Sequence, residues 1–143
     1  MDASPPGTLL RVPVKVYFYD TDAGGVVHNV AYLRMIEQAR SDLAEAMEWP
    51  MSTMLDGSGP CPVVARTEID YLLPARIGDD LVLEARLDSL GRVRMEFSFE
   101  MIRTPGEEII CRCRQTLVPI DLQTGRPCPV PTDWRAKILH ATC

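Results

Sequence analysis

The sequence predicts an α+β domain built from one antiparallel sheet and one long helix. Three observations carry that expectation. Period-two alternation of apolar and polar residues opens the chain, a single apolar stripe of helical period follows, and four further alternating stretches then come in succession. A strand, one helix and a run of strands with no helices between them is the order of segregated α+β structure.

The elements follow in chain order. Residues 1–8 read as a flexible lead. Val12, Val14, Val16 and Phe18 alternate with Pro13, Lys15, Tyr17 and Tyr19, a strand with one buried face, and Pro13 places it at an edge or a bulge. Asp20-Thr21-Asp22-Ala23-Gly24-Gly25 is a tight turn. Val30, Leu33, Ile36, Ala39 (or Arg40), Leu43 and Met47 then recur at helical spacing, predicting a helix over 29–48 with Asn29 as N-cap and Pro50 as its stop. Residues 50–61 are a loop with one helical turn starting at Ser52. Strands are expected from Val63 to Leu73, Asp80 to Leu90, Arg92 to Ile102 and Glu108 to Ile120. Ser89-Leu90-Gly91-Arg92 joins the second and third of these as a hairpin, and Thr104-Pro105-Gly106 is the next turn. Pro127, Pro129 and Pro131 make an extended tail, and Thr132 or Asp133 caps a last short helix through about residue 141. No repeat or second domain is visible, so 1–143 reads as one domain with a tail over 121–143.

Composition sets the bounds on function. The chain has 143 residues, 46% hydrophobic and 24% charged, ordinary for a globular domain. Fifteen basic residues against twenty acidic leave a formal charge of -5, which argues against a nucleic-acid binder. No apolar run is long enough to span a membrane, and the N-terminus lacks the features of a secretory signal. The five cysteines are an odd number without a CxxC pair, and Cys111 and Cys113 share one strand face, so a reduced, cytoplasmic protein is expected. No His/Cys spacing suggests zinc, and Gly24-Gly25 is too short for a nucleotide loop, so no metal, flavin or nicotinamide cofactor is implied.

Chemistry concentrates in residues 17–29, where a strand feeds a Gly-rich turn and the turn feeds a helix N-terminus. Such an end presents free N–H groups at a positive dipole and stabilises an anion, bound or developing. Two carboxylates share the turn, and a carboxylate beside such an end suits acyl transfer as nucleophile or general base. The residues alone leave a plainer account open, in which Asp20 and Asp22 only bond local backbone and form the turn.

Tyr19-Asp20-Thr21-Asp22-Ala23-Gly24-Gly25-Val26-Val27, with Tyr32 and Glu37-Gln38-Ala39-Arg40 behind it, resembles the opening of the hotdog-fold thioesterases, in particular the 4-hydroxybenzoyl-CoA thioesterase and YbgC-like acyl-CoA thioesterase group. A second block agrees: Ile69-Asp70-Tyr71-Leu72-Leu73-Pro74-Ala75-Arg76-Ile77-Gly78-Asp79-Asp80-Leu81 resembles the group's central strand, its Pro-Ala turn and its Gly-Asp strand start. The likeness spans about residues 11 to 120. It implies a long helix wrapped by a curved antiparallel sheet of about five strands, chains paired as a homodimer or homotetramer, and active sites between subunits. It implies an enzyme, an acyl-CoA thioester hydrolase releasing a carboxylic acid and free coenzyme A, with acyl carrier protein as the other carrier of the acyl group.

Carried over residue by residue, the resemblance gives Asp22 the role of catalytic carboxylate. It gives the N–H groups of Gly25–Asn29 the polarisation of the thioester carbonyl, and Val26 and Val27 the lining of the acyl pocket. Many YbgC-like members read Val-Val-Tyr-His where this chain reads Val26-Val27-His28-Asn29, so Asn29 stands in the usual histidine's slot and His28 precedes it. A tyrosine frequent four residues before the catalytic aspartate is here Phe18. Asp22, His28 and Asn29 are therefore the candidate catalytic residues, and Gly25, Val26, Val27 and Tyr32 the candidate substrate-binding ones. Glu37 reads first as a helix-surface partner of Arg34 or Arg40. Arg92, Arg94, Arg112 and Arg114 are the first candidates for coenzyme A phosphates. Two rival activities keep the fold. One is a hotdog hydratase or dehydratase, disfavoured because six positions separate Asp22 from His28 where those enzymes use five. The other is an acyl-CoA or acyl-carrier-protein binding protein without turnover.

Overall fold

The protein is described by a computed structural model covering residues 9–49, 55–57 and 59–134. The expected lead over 1–8, the stop at Pro50, the turn at Ser52 and the end of the last helix lie outside these residues. Of that helix, 132–134 are described and helical.

Five strands form one sheet: β1 (Leu9–Val14), β2 (Cys61–Tyr71), β3 (Asp80–Leu90), β4 (Met95–Thr104) and β5 (Glu108–Ile120). Their order is β1-β3-β4-β5-β2, every pair antiparallel, so β4 is central and β1 and β2 are the rims. Pro13 lies on a rim, as its missing donor requires. Register shifts at Val64/Arg66, Leu87/Ser89 and Met101/Ile102 insert bulges, which bend strands. The sheet and the helix α1 (Asn29–Ala46) bury one core between them. Leu81, Leu83, Ala85 and Leu87 of β3, with Phe97, Phe99 and Met101 of β4, face Ile36, Ala39 and Leu43 of the helix side. The other face is polar, crossed by Arg112 to Glu100 at 3.0 Å, Thr116 to Glu96 at 2.9 Å and Ser98 to Asp88 at 3.0 Å.

The structure corrects several details. The first strand ends at Val14, and a single 3-10 turn, Phe18–Asp20, replaces the expected alternation. The Asp20 carboxylate accepts the Tyr17 N–H at 2.9 Å and bends the chain there, which leaves Phe18 85% exposed. His28, not Asn29, is the N-cap: its Nδ1 accepts the Ala31 N–H at 3.2 Å. The helix ends at Ala46 because Glu48 takes φ +63° while Trp49 and Glu48 donate back to the Ala44 and Glu45 carbonyls. β2 runs from Cys61 to Tyr71, two residues earlier than expected, and β4 begins at Met95 because Gly91 N–H bonds Arg94 O across the hairpin turn.

The helix buries Ile36, Ala39, Leu43 and Met47 as expected, but its first two turns face inward on other residues. Ala31, Tyr32 and Met35 are buried, whereas Val30 is 63% and Leu33 38% exposed. Tyr32 sets this phase, since its hydroxyl accepts the Ala75 N–H at 3.2 Å beneath the helix.

Cys111 and Cys113 are both buried and free, on one face of β5. Burial pushes their thiols up to about 12 and about 11. The folded pKa values lie above the ordinary thiol range, so this contribution to stability is whole below about pH 9 and is lost as pH rises through those values. At pH 8, iodoacetamide is expected to label Cys128, which is only partly buried, while both β5 cysteines stay unmodified until denaturant is added. Mass spectrometry of the digest checks this.

Candidate active site

Residues 20–28 fold into a tight hairpin. Its base closes with His28 N–H to Asp20 O at 2.9 Å, its middle with Asp22 N–H to Val26 O at 2.9 Å, and its head with Gly25 N–H to Asp22 O at 3.0 Å. Val27 N–H reaches Ala75 O at 2.8 Å, and Val26 bridges Arg76, so the hairpin is sewn onto the segment before β3. Two glycines make the head possible. Gly25 holds φ +76°, and a Cβ on Gly24 would sit 3.2 Å from Asp22 Oδ1.

Asp22 stands exposed at this head, with Oδ1 accepting the Gly24 N–H at 2.8 Å. Oδ2 has no partner among the described residues. Asp20 points the other way. It is 1% exposed and bonded to Tyr17 N–H and to the Arg34 guanidinium.

Three of the five N–H groups expected to face a ligand are spent: Gly25 on Asp22, Val27 on Ala75 and His28 on Asp20. The first turn of α1 keeps that of the expected Asn29 and adds that of Val30. Asn29 and Val30 are its first two residues, and helix geometry gives their N–H groups no carbonyl to reach.

Asn29 opens on a cleft of about 290 Å³. Val27, Tyr32, Tyr71, Leu72, Leu73 and Pro74 complete its wall. The cleft thus brings together Val27, Asn29 and Tyr32 of the expected residues. Gly25, Val26 and His28 lie in the adjoining hairpin and cap, and Asp22 lies outside the wall at the hairpin head. Sequence reasoning assigned no role to Tyr71, whose hydroxyl donates to the Asn29 carbonyl at 3.2 Å and whose ring meets Tyr32 at 5.4 Å and 60°. Its signal was present: Tyr71-Leu72-Leu73 breaks the alternation of β2 with three successive apolar residues. Burial pushes both phenols above their ordinary value, so both stay neutral at neutral pH.

Glu37 is exposed on the helix and pairs with Arg40 at 3.7 Å. Arg112 is engaged by Glu100, and Arg94 and Arg114 line a separate groove on the polar sheet face. Among the described residues no three His, Cys, Asp or Glu side chains converge as a metal set, and no helix is long and apolar enough to cross a membrane.

Comparison with known proteins agrees with this architecture. The family model of the Thioesterase-like superfamily matches residues 16–138. The acyl-CoA thioesterase YbgC of Haemophilus influenzae is 28% identical over 128 residues, 90% of this chain and 93% of the relative. The crystal structure of a thioesterase from Thermus thermophilus, complexed with coenzyme A and Zn, superposes with a TM-score of 0.76 at 30% identity, over 99% of this chain and 97% of that one. Slr0204, a 1,4-dihydroxy-2-naphthoyl-CoA thioesterase from Synechocystis, shares the fold with a TM-score of 0.84 at 21% identity, over 92% and 96% of the two chains.

Proposed function

The chain belongs to the Thioesterase-like superfamily, and from that premise we propose that it is an enzyme hydrolysing acyl-CoA thioesters to a carboxylic acid and free coenzyme A. One observation carries the reading. Of the two unspent N–H groups at the tip of α1, one belongs to Asn29 on the wall of an apolar, aromatic-walled cleft and the other to Val30 beside it in the chain, and an exposed carboxylate stands on the hairpin that leads into that tip.

The acyl group lies against Val27, Tyr32 and Tyr71, and the thioester carbonyl oxygen accepts from Asn29 N–H and Val30 N–H. Charge that builds on that oxygen meets the positive end of an 18-residue helix. Asp22 acts through Oδ2 while Gly24 holds Oδ1. As a nucleophile it forms a mixed anhydride, the C–S bond breaks, and water then cleaves the anhydride. As a base it takes a proton from the water that adds to the carbonyl, and the sulfur leaves as thiolate. Both routes consume one water and return the same acid and thiol. His28 spends Nδ1 on the cap and so fixes the helix tip, and the Asn29 carboxamide supplies hydrogen bonds without titrating.

The active enzyme is a homo-oligomer. Tyr71, Leu72 and Leu73 are exposed on the cleft wall at the end of the 11-residue rim β2, and Val30 and Leu33 are exposed on the helix that supplies Asn29 to the same wall. A second copy laid along that rim pairs its backbone, covers the apolar patch and closes the open side of the cleft. Light scattering is expected to return a mass of two or four copies of the 16.0 kDa chain. The four free cysteines among the described residues suit a reducing compartment, the cytoplasm.

Thiol release measured over short, long, branched and aromatic acyl-CoAs tests the activity. Turnover of at least one class is expected, and saturable binding of all of them without thiol release would refute hydrolysis. Loss of enoyl absorbance without thiol release would point to hydration instead.

A further inference from the structure

Resting on the reading that Asp22 is the reacting carboxylate, we propose that Asp20, locked by Arg34, is a positioning residue that fixes Asp22 and the helix tip relative to one another. Asp20 does not line the cleft, and at 1% exposure it is out of a substrate's reach. Yet it holds three separate pieces of the site. Oδ2 accepts the Tyr17 N–H at 2.9 Å where the chain enters the hairpin. Oδ1 pairs with Nη2 of Arg34, which stands on α1 beyond the tip. Its backbone carbonyl accepts the N–H of His28, the residue that caps the same helix, at 2.9 Å.

Both arms of the proposed reaction therefore leave from one anchor. Two residues on lies Asp22, and nine residues on lies Asn29. Arg34 is itself held from outside. Its guanidinium lies 5.6 Å over the Tyr19 ring, which stacks on Tyr17 at 5.4 Å and 2°, with the Lys15 ammonium 5.4 Å over Tyr17. This stack accounts for two tyrosines that stay exposed at a strand exit. The pair is buried at its Asp20 end and half exposed at Arg34, so its Coulomb attraction is partly screened, and what it fixes is the place of the Asp20 carboxylate against the helix.

The test is thiol-release kinetics on Asp20→Asn, Arg34→Gln, Arg34→Lys and the Asp20→Asn/Arg34→Gln double variant, with circular dichroism confirming the fold. Misplacing a reacting group by about 1 Å costs on the order of 100-fold. Asp20→Asn is expected to lower kcat by roughly 10- to 100-fold with KM within about threefold, because the cleft wall is untouched. Arg34→Gln falls in the same direction, Arg34→Lys recovers much of the loss, and the double variant is no slower than Asp20→Asn alone. Should Asp20→Asn fail to fold, Arg34→Gln carries the test, since Arg34 is half exposed. Wild-type kcat in folded Arg34→Gln, or losses that vanish once scaled to the folded fraction, would overturn the proposal. If Asp22→Asn is inactive while the Asp20 and Arg34 variants turn over normally, only this inference fails. If Asp22→Asn is active, both it and the reading beneath it fail.

Discussion

Asp22→Asn is expected to yield a folded protein whose turnover of acyl-CoA falls by roughly 100- to 10,000-fold. The fold should survive because the carboxylate is exposed and its bond among the described residues is from the Gly24 N–H at 2.8 Å, which an asparagine oxygen accepts equally well. An exposed substitution that keeps its local bond changes stability by less than about 0.5 kcal/mol. The reaction should not survive, because an amide oxygen is neither a useful nucleophile nor a base at neutral pH. KM should move little, since the N–H groups of Asn29 and Val30 and the cleft wall are intact. Thiol release under saturating substrate, with circular dichroism alongside, decides it. Near-normal turnover in this variant would remove Asp22 from the mechanism.

Phe99→Ala is expected to cost about 3–5 kcal/mol of stability. Phe99 is 1% exposed on the central strand, opposite Ala85 on one side and Cys113 on the other, with Phe97 6.4 Å away along the strand. Its neighbours are held by the sheet ladder on both sides and cannot collapse into the space, so the transfer loss and the cavity add. For a domain whose whole stability is of order 5–15 kcal/mol, that is about a fifth at the least. Denaturant melts at one fixed protein concentration, so that subunit association does not enter the comparison, check the figure. A loss below about 1 kcal/mol would mean that the sheet–helix interface is not the core.

Elements governed by local chemistry were legible in the sequence. The alternation of Leu81, Leu83, Ala85 and Leu87 names the helix-facing side of β3, and the glycines at 24 and 25 mark a head that needs small side chains and a positive φ. The period also held a clue to the bulge at Leu87/Ser89, since Leu90 falls out of step with the odd positions. Other features depend on partners distant in sequence. Val30 and Leu33 look like core because apolar spacing cannot say whether a residue faces its own sheet or open surface. Which N–H groups are free near the cleft depends on Ala75, more than forty residues downstream, claiming that of Val27. The bond from Asp20 to Arg34 joins two residues that meet only once the helix has docked. His28 takes the cap through its ring nitrogen, a residue type that cap preferences do not single out.

The two rims of the sheet are unequal. Among the described residues β1 carries Pro13 inside it, whereas β2 keeps residues 63–71 free of proline. In the proposed homo-oligomer, strand addition along β2 uses up the rims free of proline over residues 63–71 and turns the two that carry Pro13 outward. A pairing of that kind meets a proline-bearing strand on each outer side, so the proposed assembly avoids the hazard of an endless ribbon.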